Sequence, residues 1–404
     1  MAEIEVILLA VFFASLVAAF VKDKRFAYLA LIAVIALSAN SHLLVYKNEH
    51  MPTFGNTFIH IASERHFVQN GFYPIERDYS YAGLAPNSYV PFYRSAIAVT
   101  SALLSIDVED VSRLFVILFA LLLPIGFFLV GRKLFGDIGG AVCALAIVLM
   151  PETLIYTVRP LPQAMGIVLL PFAFYLILEK KFWPSVLMTV IVSLVHQEAA
   201  VFLAGAALFY SIGLNASAAL RERKIVLEKE SLLSFYCFIA AAGAYLLWHY
   251  AIVGNFNIFD LAQFKYHEGA KATLDLIITK TGLLPIVLAL LGLLACAFSW
   301  LKGFLDEKTS RAALVVFSAL AAYAAIVVEA VKVDVVLAVA LSAFVALGIS
   351  FVKIELSLEK SVFALFIFIA AVGAVKNDVV GVNVFMDRFI VNLQQPIALL
   401  AGLA

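Results

Sequence analysis

Long apolar runs follow one another along most of the chain, and they constrain the fold more than any other feature. A helix needs about 20 apolar residues, with a range near 17–25, to cross the hydrocarbon core of a bilayer. The sequence therefore predicts an all-α, polytopic transmembrane bundle of about twelve spans. The predicted spans are residues 4–21, 26–46, 112–130, 138–156, 163–179, 184–197, 199–214, 232–252, 283–301, 312–331, 335–352 and 361–376. The pair 184–197 and 199–214 is short, and we expect it to be broken or tilted.

The composition supports a membrane protein and excludes several functions. Hydrophobic residues make up 64% of the 404 residues and charged residues 14%, against about 45–50% and 25% in soluble proteins. Basic and acidic residues balance at 28 each, so the basic surface that nucleic-acid binding requires is missing. No GxxxxGK[ST] or GxGxxG motif stands in a strand–helix setting, which argues against a nucleotide site. We expect membrane lipids as partners and no nucleic acid.

Basic residues in the short loops set the predicted orientation. With the amino terminus outside, the connectors on the inner side carry 16 of the 28 Lys and Arg residues. The long segments 47–111 and 253–282 and the tail from 377 then lie outside. Residues 89–106 are apolar but contain Pro91 and Arg94, and we interpret them as an interfacial helix at the end of the first loop. The first residues are acidic, so no cleavable signal peptide is expected.

The first outer loop holds the densest group of polar residues. Residues 57–69 are predicted to form a helix that ends at Asn70-Gly71, because glycine tolerates the left-handed cap. His60 and Glu64 are four residues apart and share one face of that helix. This spacing suits a metal site or an acid–base pair, although it is more often that of a solvated helix face. The tyrosines of the loop, Tyr81 among them, fit either sugar stacking or an interfacial belt.

Three further places at the outer surface carry polar residues. Arg159 follows Pro151 and can clamp a phosphate through its planar guanidinium, or it can extend to lipid head groups. His196-Gln-Glu198 interrupts an apolar stretch, and ionisable groups in such a place usually face a cavity or a partner. The loop 253–282 contains His267 and a plausible short amphipathic helix at 258–266.

The order of motifs in the first half is similar to that of a known family. The elements are Asn56-Thr-Phe-Ile-His60, Asn70-Gly-Phe-Tyr-Pro74, Tyr89-Val-Pro-Phe-Tyr93, Arg132-Lys-Leu-Phe-Gly136, and Pro151 ahead of Arg159. Over about residues 26–180 this order resembles the catalytic subunits of oligosaccharyltransferases, which belong to the GT-C superfamily of membrane glycosyltransferases. The resemblance implies a GT-C-like scaffold with an outward-facing cavity, a long first loop and a lipid-linked sugar phosphate as donor.

The sequence departs from that family at the acidic positions. Asn56 stands where the family has a carboxylate, and Leu161-Pro-Gln163 stands where it has an acidic pair. An amide is a poorer ligand than a carboxylate for a divalent cation, so a mechanism without a metal is favoured and no metal ligand is assigned. A divalent cation stays open as an alternative. An acceptor-binding motif of the Trp-Trp-Asp kind and a large carboxy-terminal soluble domain are not expected either.

We expect an enzyme, a glycosyltransferase that moves a sugar from a polyprenyl-phosphate-linked donor to an acceptor at the outer face of the cell membrane. The alternative is a non-catalytic GT-C-like protein or a lipid-linked glycan polymerase or flippase, and the third is a secondary transporter. We expect a single transmembrane domain over 1–404, with the GT-C-like half at 26–180 and the remaining helices at 181–404. The candidate catalytic residues are Glu64, Asp78, Glu198 and His196, and the candidate substrate-binding residues are Asn56, His60, Arg65, Arg77, Tyr81, Arg94, Arg159, Gln163 and His267.

Overall fold

The computed structural model describes residues 2–48, 55–73, 76–77, 85–86, 90–223, 227–254, 273–327, 356–375 and 389–403. Nearly all of this part of the chain is α-helical. Its helices are α1 (Ala2–Val21), α2 (Phe26–Asn48), α3 (Gly55–Asn70), α4 (Phe92–Leu104), α5 (Val108–Val148), α6 (Pro151–Thr157), α7 (Pro162–Leu178), α8 (Phe182–Val195), α9 (Gln197–Glu222), α10 (Lys229–Val253), α11 (Leu274–Thr281), α12 (Leu283–Lys302), α13 (Glu307–Val327), α14 (Leu358–Val375) and α15 (Ile390–Ala401). In the first loop, β1 (Glu76–Arg77) pairs antiparallel with β2 (Ala85–Pro86).

Helices occupy the predicted spans wherever the structure describes the chain, and the run 335–352 lies outside the described residues. Within the described part, seven helices are individually long and apolar enough to cross a bilayer, or eight if α6 and α7 together form one bent span. The apolar side chains of α1 face outward, with Phe13, Val17 and Phe20 exposed. The chain is therefore an integral membrane protein, and the number of twelve spans stays a prediction.

The long helix α5 is a hairpin of two arms that meet at Gly136. Gly136 has φ +85° and ψ −179°, a conformation that glycine tolerates and other residues avoid. The arms then pack closely, since a Cβ atom on Gly140 would lie 2.8 Å from the carbonyl oxygen of Phe128. This arrangement confirms two separate runs joined near residues 131–137. The second run ends at Val148, earlier than predicted, because Pro151 starts α6.

Helices α8 and α9 form a second hairpin, and the predicted break lies between them. Helix α8 is short, with 14 residues, but α9 has 26 and is long enough to cross a bilayer, so the prediction of a short span is wrong for α9. His196 between them is extended, with φ −155° and ψ 134°. Lys180, just before α8, and Tyr210, within α9, both reach the carboxylate of Glu359, at 3.3 and 3.4 Å. The start of α8 and the middle of α9 therefore lie at one level of the bundle, and His196 lies toward the opposite end.

Helix α15 differs from the prediction that the tail from 377 is an outer segment. Every residue from Ile390 to Ala401 is buried, and a Cβ atom on Gly292 of α12 would collide with the backbone of Leu400. Its polar residues Asn392, Gln394 and Gln395 interrupt the apolar run, and this composition concealed a helix that passes through the centre of the bundle.

Helix α4 lies where an interfacial helix is predicted at 89–106. Its 13 residues are about 20 Å long at 1.5 Å per residue, which is too short to cross a bilayer core of about 30 Å. Tyr93, Arg94, Ile97, Ala98 and Ser101 form one buried face. We call the end of the bundle that carries α3, α4 and α6 the outer end, after the predicted orientation, and the opposite end, with Lys180, the inner end.

Candidate functional site

A buried polar group lies between α3 and α4 at the outer end, and we call it the loop cluster: His60, Glu64, Tyr73 and Arg94. Arg94 donates from Nε to His60 Nδ1 at 2.9 Å and from Nη1 to the Tyr73 hydroxyl at 3.5 Å. Glu64 and Arg94 are 0% exposed and His60 is 3% exposed. The interpretation of His60 and Glu64 as a solvated helix face is therefore wrong, because that face of α3 packs against the bundle.

Glu64 has the electrostatics of a group that holds a proton near neutral pH. Burial raises the pKa of its carboxyl group to about 8, while the charge of Arg94 and the Ser112 hydroxyl oppose the rise. The Ser112 hydroxyl itself donates to the carbonyl oxygen of Val108 at 2.8 Å. Among the residues that the structure describes, neither oxygen of Glu64 has a hydrogen-bond partner. A carboxyl group with a pKa near the working pH can act as acid or base.

A second group, the hairpin cluster, consists of Gln163, His196 and Glu198. Gln163, in the first turn of α7, donates from Nε2 to Glu198 Oε2 at 2.8 Å. Glu198 is 3% exposed and lies in the first turn of α9, where the helix dipole stabilises negative charge. Gly166 lets the two elements approach, since a Cβ atom there would lie 3.0 Å from the Ala199 Cβ and 3.4 Å from the His196 Cβ.

The end of the first loop packs beside the hairpin cluster. Val90 packs with Ala200, two residues beyond Glu198, and with Tyr245 of α10. Tyr73 of the loop cluster meets the ring of Trp248 edge-on, with ring centroids 5.7 Å apart. Both clusters therefore lie at the same end of the bundle, near the outer half of α10.

Arg159 lies in the turn between α6 and α7, which meet at an angle of 117°. Its side chain is half-buried, and its guanidinium carbon lies 5.6 Å from the centre of the Tyr156 ring. Burial lowers the pKa of Arg159 from its ordinary value, and Tyr156 and Glu152 oppose this; the group stays charged because an arginine does not lose its proton in proteins. Arg159 thus presents a cation that a ligand can still reach.

The sequence did not reveal a set of contacts that holds α6, the helix before Arg159. On one side, Lys280 donates to Glu152 at 2.7 Å, and Gln394 of α15 accepts from the Thr153 hydroxyl at 2.6 Å and donates to the Lys280 carbonyl at 2.8 Å. These partners are separated by 128, 241 and 114 residues, and residue spacing carries no signal over such separations.

The other side of α6 is held by α2. His42 Nε2 lies 3.0 Å from the Thr157 hydroxyl, and the Tyr46 hydroxyl donates to the Val158 carbonyl at 3.0 Å. The turn that carries Arg159 is therefore fixed from both sides. In the sequence, the only signal of these contacts was a single His or Tyr near the end of an apolar run, and this signal is weak.

The remaining candidates are placed as follows. Arg65 lies at the rim of α3, where it pairs with Glu109 at 2.6 Å and with Asp107 at 3.6 Å, and it faces neither cluster. Asn56 lies in the first turn of α3 and Arg77 lies in β1, and their side chains are not among those described. Asp78, Tyr81 and His267 lie outside the described residues. Among the described residues, no three His, Cys, Asp or Glu side chains lie close enough together to hold a metal ion.

Comparison with known proteins gave matches among solved structures. No protein-family model matches the chain, and no curated protein sequence matches it. The chain is similar to the crystal structure of the Archaeoglobus fulgidus oligosaccharyltransferase tethered to an acceptor peptide that contains the Asn-Val-Thr sequon, with a TM-score of 0.45 and 11% identity over 95% of this chain and 55% of that one. The apo form of that enzyme gives a TM-score of 0.43 and 11% identity over 92% and 55%.

The chain spans about half the length of these two structures, at 55% of each. Both are of an oligosaccharyltransferase, the family whose first-half motifs this sequence resembles.

Proposed function

We propose that the protein is a GT-C-like membrane glycosyltransferase that transfers a sugar from a polyprenyl-phosphate-linked donor to an acceptor at the outer face of the cell membrane. The observation that carries the proposal is the hydrogen bond between Gln163 and Glu198, 2.8 Å long. It joins a carboxylate to the start of α7, only four residues after Arg159. Four residues extend over at most about 14 Å, so a cation and a carboxylate share one corner of the outer end.

These two groups match the needs of the transfer reaction. The acceptor hydroxyl passes its proton to a carboxylate as its oxygen bonds to the anomeric carbon of the sugar. The bond from that carbon to the donor phosphate breaks, and the phosphate leaves on its lipid. Glu198 is our choice for the proton acceptor, and Arg159 for the cation that stabilises the leaving phosphate. Because Glu198 is 3% exposed, the acceptor reaches it only when the elements around it move. His196, beside Glu198, would pass the proton onward.

The loop cluster has a different place in this proposal. Arg94 and Glu64 are 0% exposed, so a ligand reaches them only after α3 moves. As they stand, His60 and Arg94 join α3 to α4 and hold Tyr73 of the first loop beside them. Asn56, Arg65, Arg77, Asp78, Tyr81 and His267 remain proposed contacts to the sugar or the acceptor from the loops, with Asp78 an alternative base.

The second candidate is a non-catalytic relative, or a polymerase or flippase for lipid-linked glycans. The amide of Gln163 favours it, because the resemblance places an acidic pair at this position, and here the side chain serves to hold Glu198. A mechanism without a metal is part of our proposal, because Asn56 and Gln163 are weak ligands for a divalent cation.

Three variants test the proposal with a polyprenyl-phosphate-linked sugar as donor. R159A should lose charge-assisted hydrogen bonds of about 1.5–3 kcal/mol each, which corresponds to roughly ten- to a hundredfold weaker donor binding. R159K should restore only part of the affinity, since an ammonium group lacks the bidentate fork. E198Q should slow turnover and leave donor binding nearly unchanged.

The matched control is R25Q, which removes an exposed arginine at the inner end and should leave both turnover and donor binding unchanged. Normal turnover in both E198Q and R159A would exclude the proposed chemistry. Donor binding without turnover in the wild-type protein, still sensitive to R159A, would favour the non-catalytic alternative.

A further inference from the structure

The inner end contains a cavity of about 750 Å³ between α1 and the turn of the α5 hairpin. This volume lies in the range of about 300–1,000 Å³ that is typical of ligand sites. The lining has two parts. Lys24, Arg132 and Asp137 form a charged part, and Leu16, Phe20 and Phe135 belong to an apolar part.

The charged part of the lining favours binding of an anion. It has two cations against one carboxylate, and Asp137 pairs with the Nε of Arg132 at 2.8 Å. A guanidinium group has five N–H donors, so its two Nη groups can still donate to a phosphate. The Tyr28 ring, 5.7 Å from the guanidinium carbon, holds the arginine in place. The Arg132 side chain is 49% exposed, so a ligand can reach it.

The apolar part continues onto the lipid-facing surface of α1. Phe20 lines the cavity and is 71% exposed, and Val17 and Val21 next to it are 62% and 76% exposed. A free phosphate ion would leave this apolar wall unused. An amphiphile with an anionic head and a hydrocarbon chain would use both parts.

We propose that this inner-end cavity binds an anionic phospholipid, with the phosphate between Lys24 and Arg132 and one acyl chain along Leu16 and Phe20. Each basic side chain at the membrane surface raises the affinity for an acidic lipid by about fivefold. The site lies at the opposite end of the bundle from the hairpin cluster, so it stands whether or not the protein transfers sugars.

The test measures the thermal stability of the full chain in detergent while a short-chain lipid is titrated. Dioctanoyl phosphatidylglycerol should raise the midpoint of unfolding in a saturable way, and dioctanoyl phosphatidylcholine and inorganic phosphate should not. K24Q and R132Q should each weaken phosphatidylglycerol binding by about fivefold. D137N should strengthen it, because it removes the carboxylate that competes with the lipid phosphate for Arg132.

The control variant is K302Q, which removes an inner-end lysine that lies over Phe298 and does not line the cavity. It should bind phosphatidylglycerol as the wild-type protein does. An equal response to phosphatidylcholine, or to phosphate alone, would overturn the proposal. A weaker response in D137N would overturn it as well, and neither K24Q nor D137N removes a buried group, so the test does not depend on R132Q folding.

Discussion

At the outer end, Arg94 is 0% exposed and donates to His60, which is 3% exposed. At the inner end, Arg221 pairs with Glu228 at 3.3 Å, and the two side chains are 52% and 32% exposed. The outer contact thus lies in the interior of the protein, while the inner one is open to water.

This difference determines what each end contributes. An exposed ion pair adds about 0–1 kcal/mol to stability, because water screens the charges. A buried polar group that loses its hydrogen-bond partner costs about 1–3 kcal/mol, because no water replaces the lost contact. We infer that the inner pairs tolerate change, whereas the outer contacts keep the first loop, α6 and the α8–α9 hairpin in one arrangement.

The comparison depends on which end faces outward, and cysteine labelling gives an all-or-none answer. The three native cysteines are buried, so single cysteines can be added to the natural chain. F72C and D275C at the outer end should react with an impermeant thiol reagent applied from outside the cell. L227C, at an inner-end position that is 68% exposed, should react only after the membrane is permeabilised. The reverse labelling pattern would show that the end called outer faces the inside of the cell.

The next prediction concerns two arginine variants. R94A should lower the free energy of unfolding by about 1–3 kcal/mol, because it leaves His60 Nδ1 and the Tyr73 hydroxyl without their donor in a buried place. R221A should lower it by less than about 1 kcal/mol. Titration with sodium dodecyl sulfate in mixed micelles measures both. Similar losses in the two variants would remove the energetic distinction between the ends.

Local signals in the sequence located several parts of the fold. The helix predicted at 57–69 is Gly55–Asn70, and Gly71 follows it with a positive φ of 76°. The break at His196 was also predictable, because polar residues interrupt an apolar run only where they find partners. Asn70-Gly71 and His196-Gln-Glu198 are short stretches whose own chemistry decides their structure.

Contacts between distant parts of the chain were not predictable in this way. Gln163 and Glu198 were both candidates, but their hydrogen bond depends on how α7 and α9 pack. Lys280 and Glu152 form a pair across 128 residues, and α15 is recognisable only once the amide of Gln394 is seen to bond to other helices. The burial of Glu64 likewise follows from α3 packing on the bundle and not from the spacing of His60 and Glu64.

The last prediction concerns pH and compares the two ends once more. The folded-state pKa of Glu64, about 8 because of burial, lies above the value of about 4.3 expected in the unfolded chain. Between these values the folded protein holds a proton that the unfolded chain has released, so stability falls as pH rises, by at most about 1.4 kcal/mol per pH unit.

In E64Q the side chain no longer titrates, so the stability of E64Q relative to wild type should rise from pH 5 to pH 8. E228Q, at a half-buried inner-end carboxylate, is the matched control over the same range. Unfolding curves of the three proteins at several pH values check this, and a constant difference between E64Q and wild type would mean that Glu64 is ionised in the folded state at neutral pH.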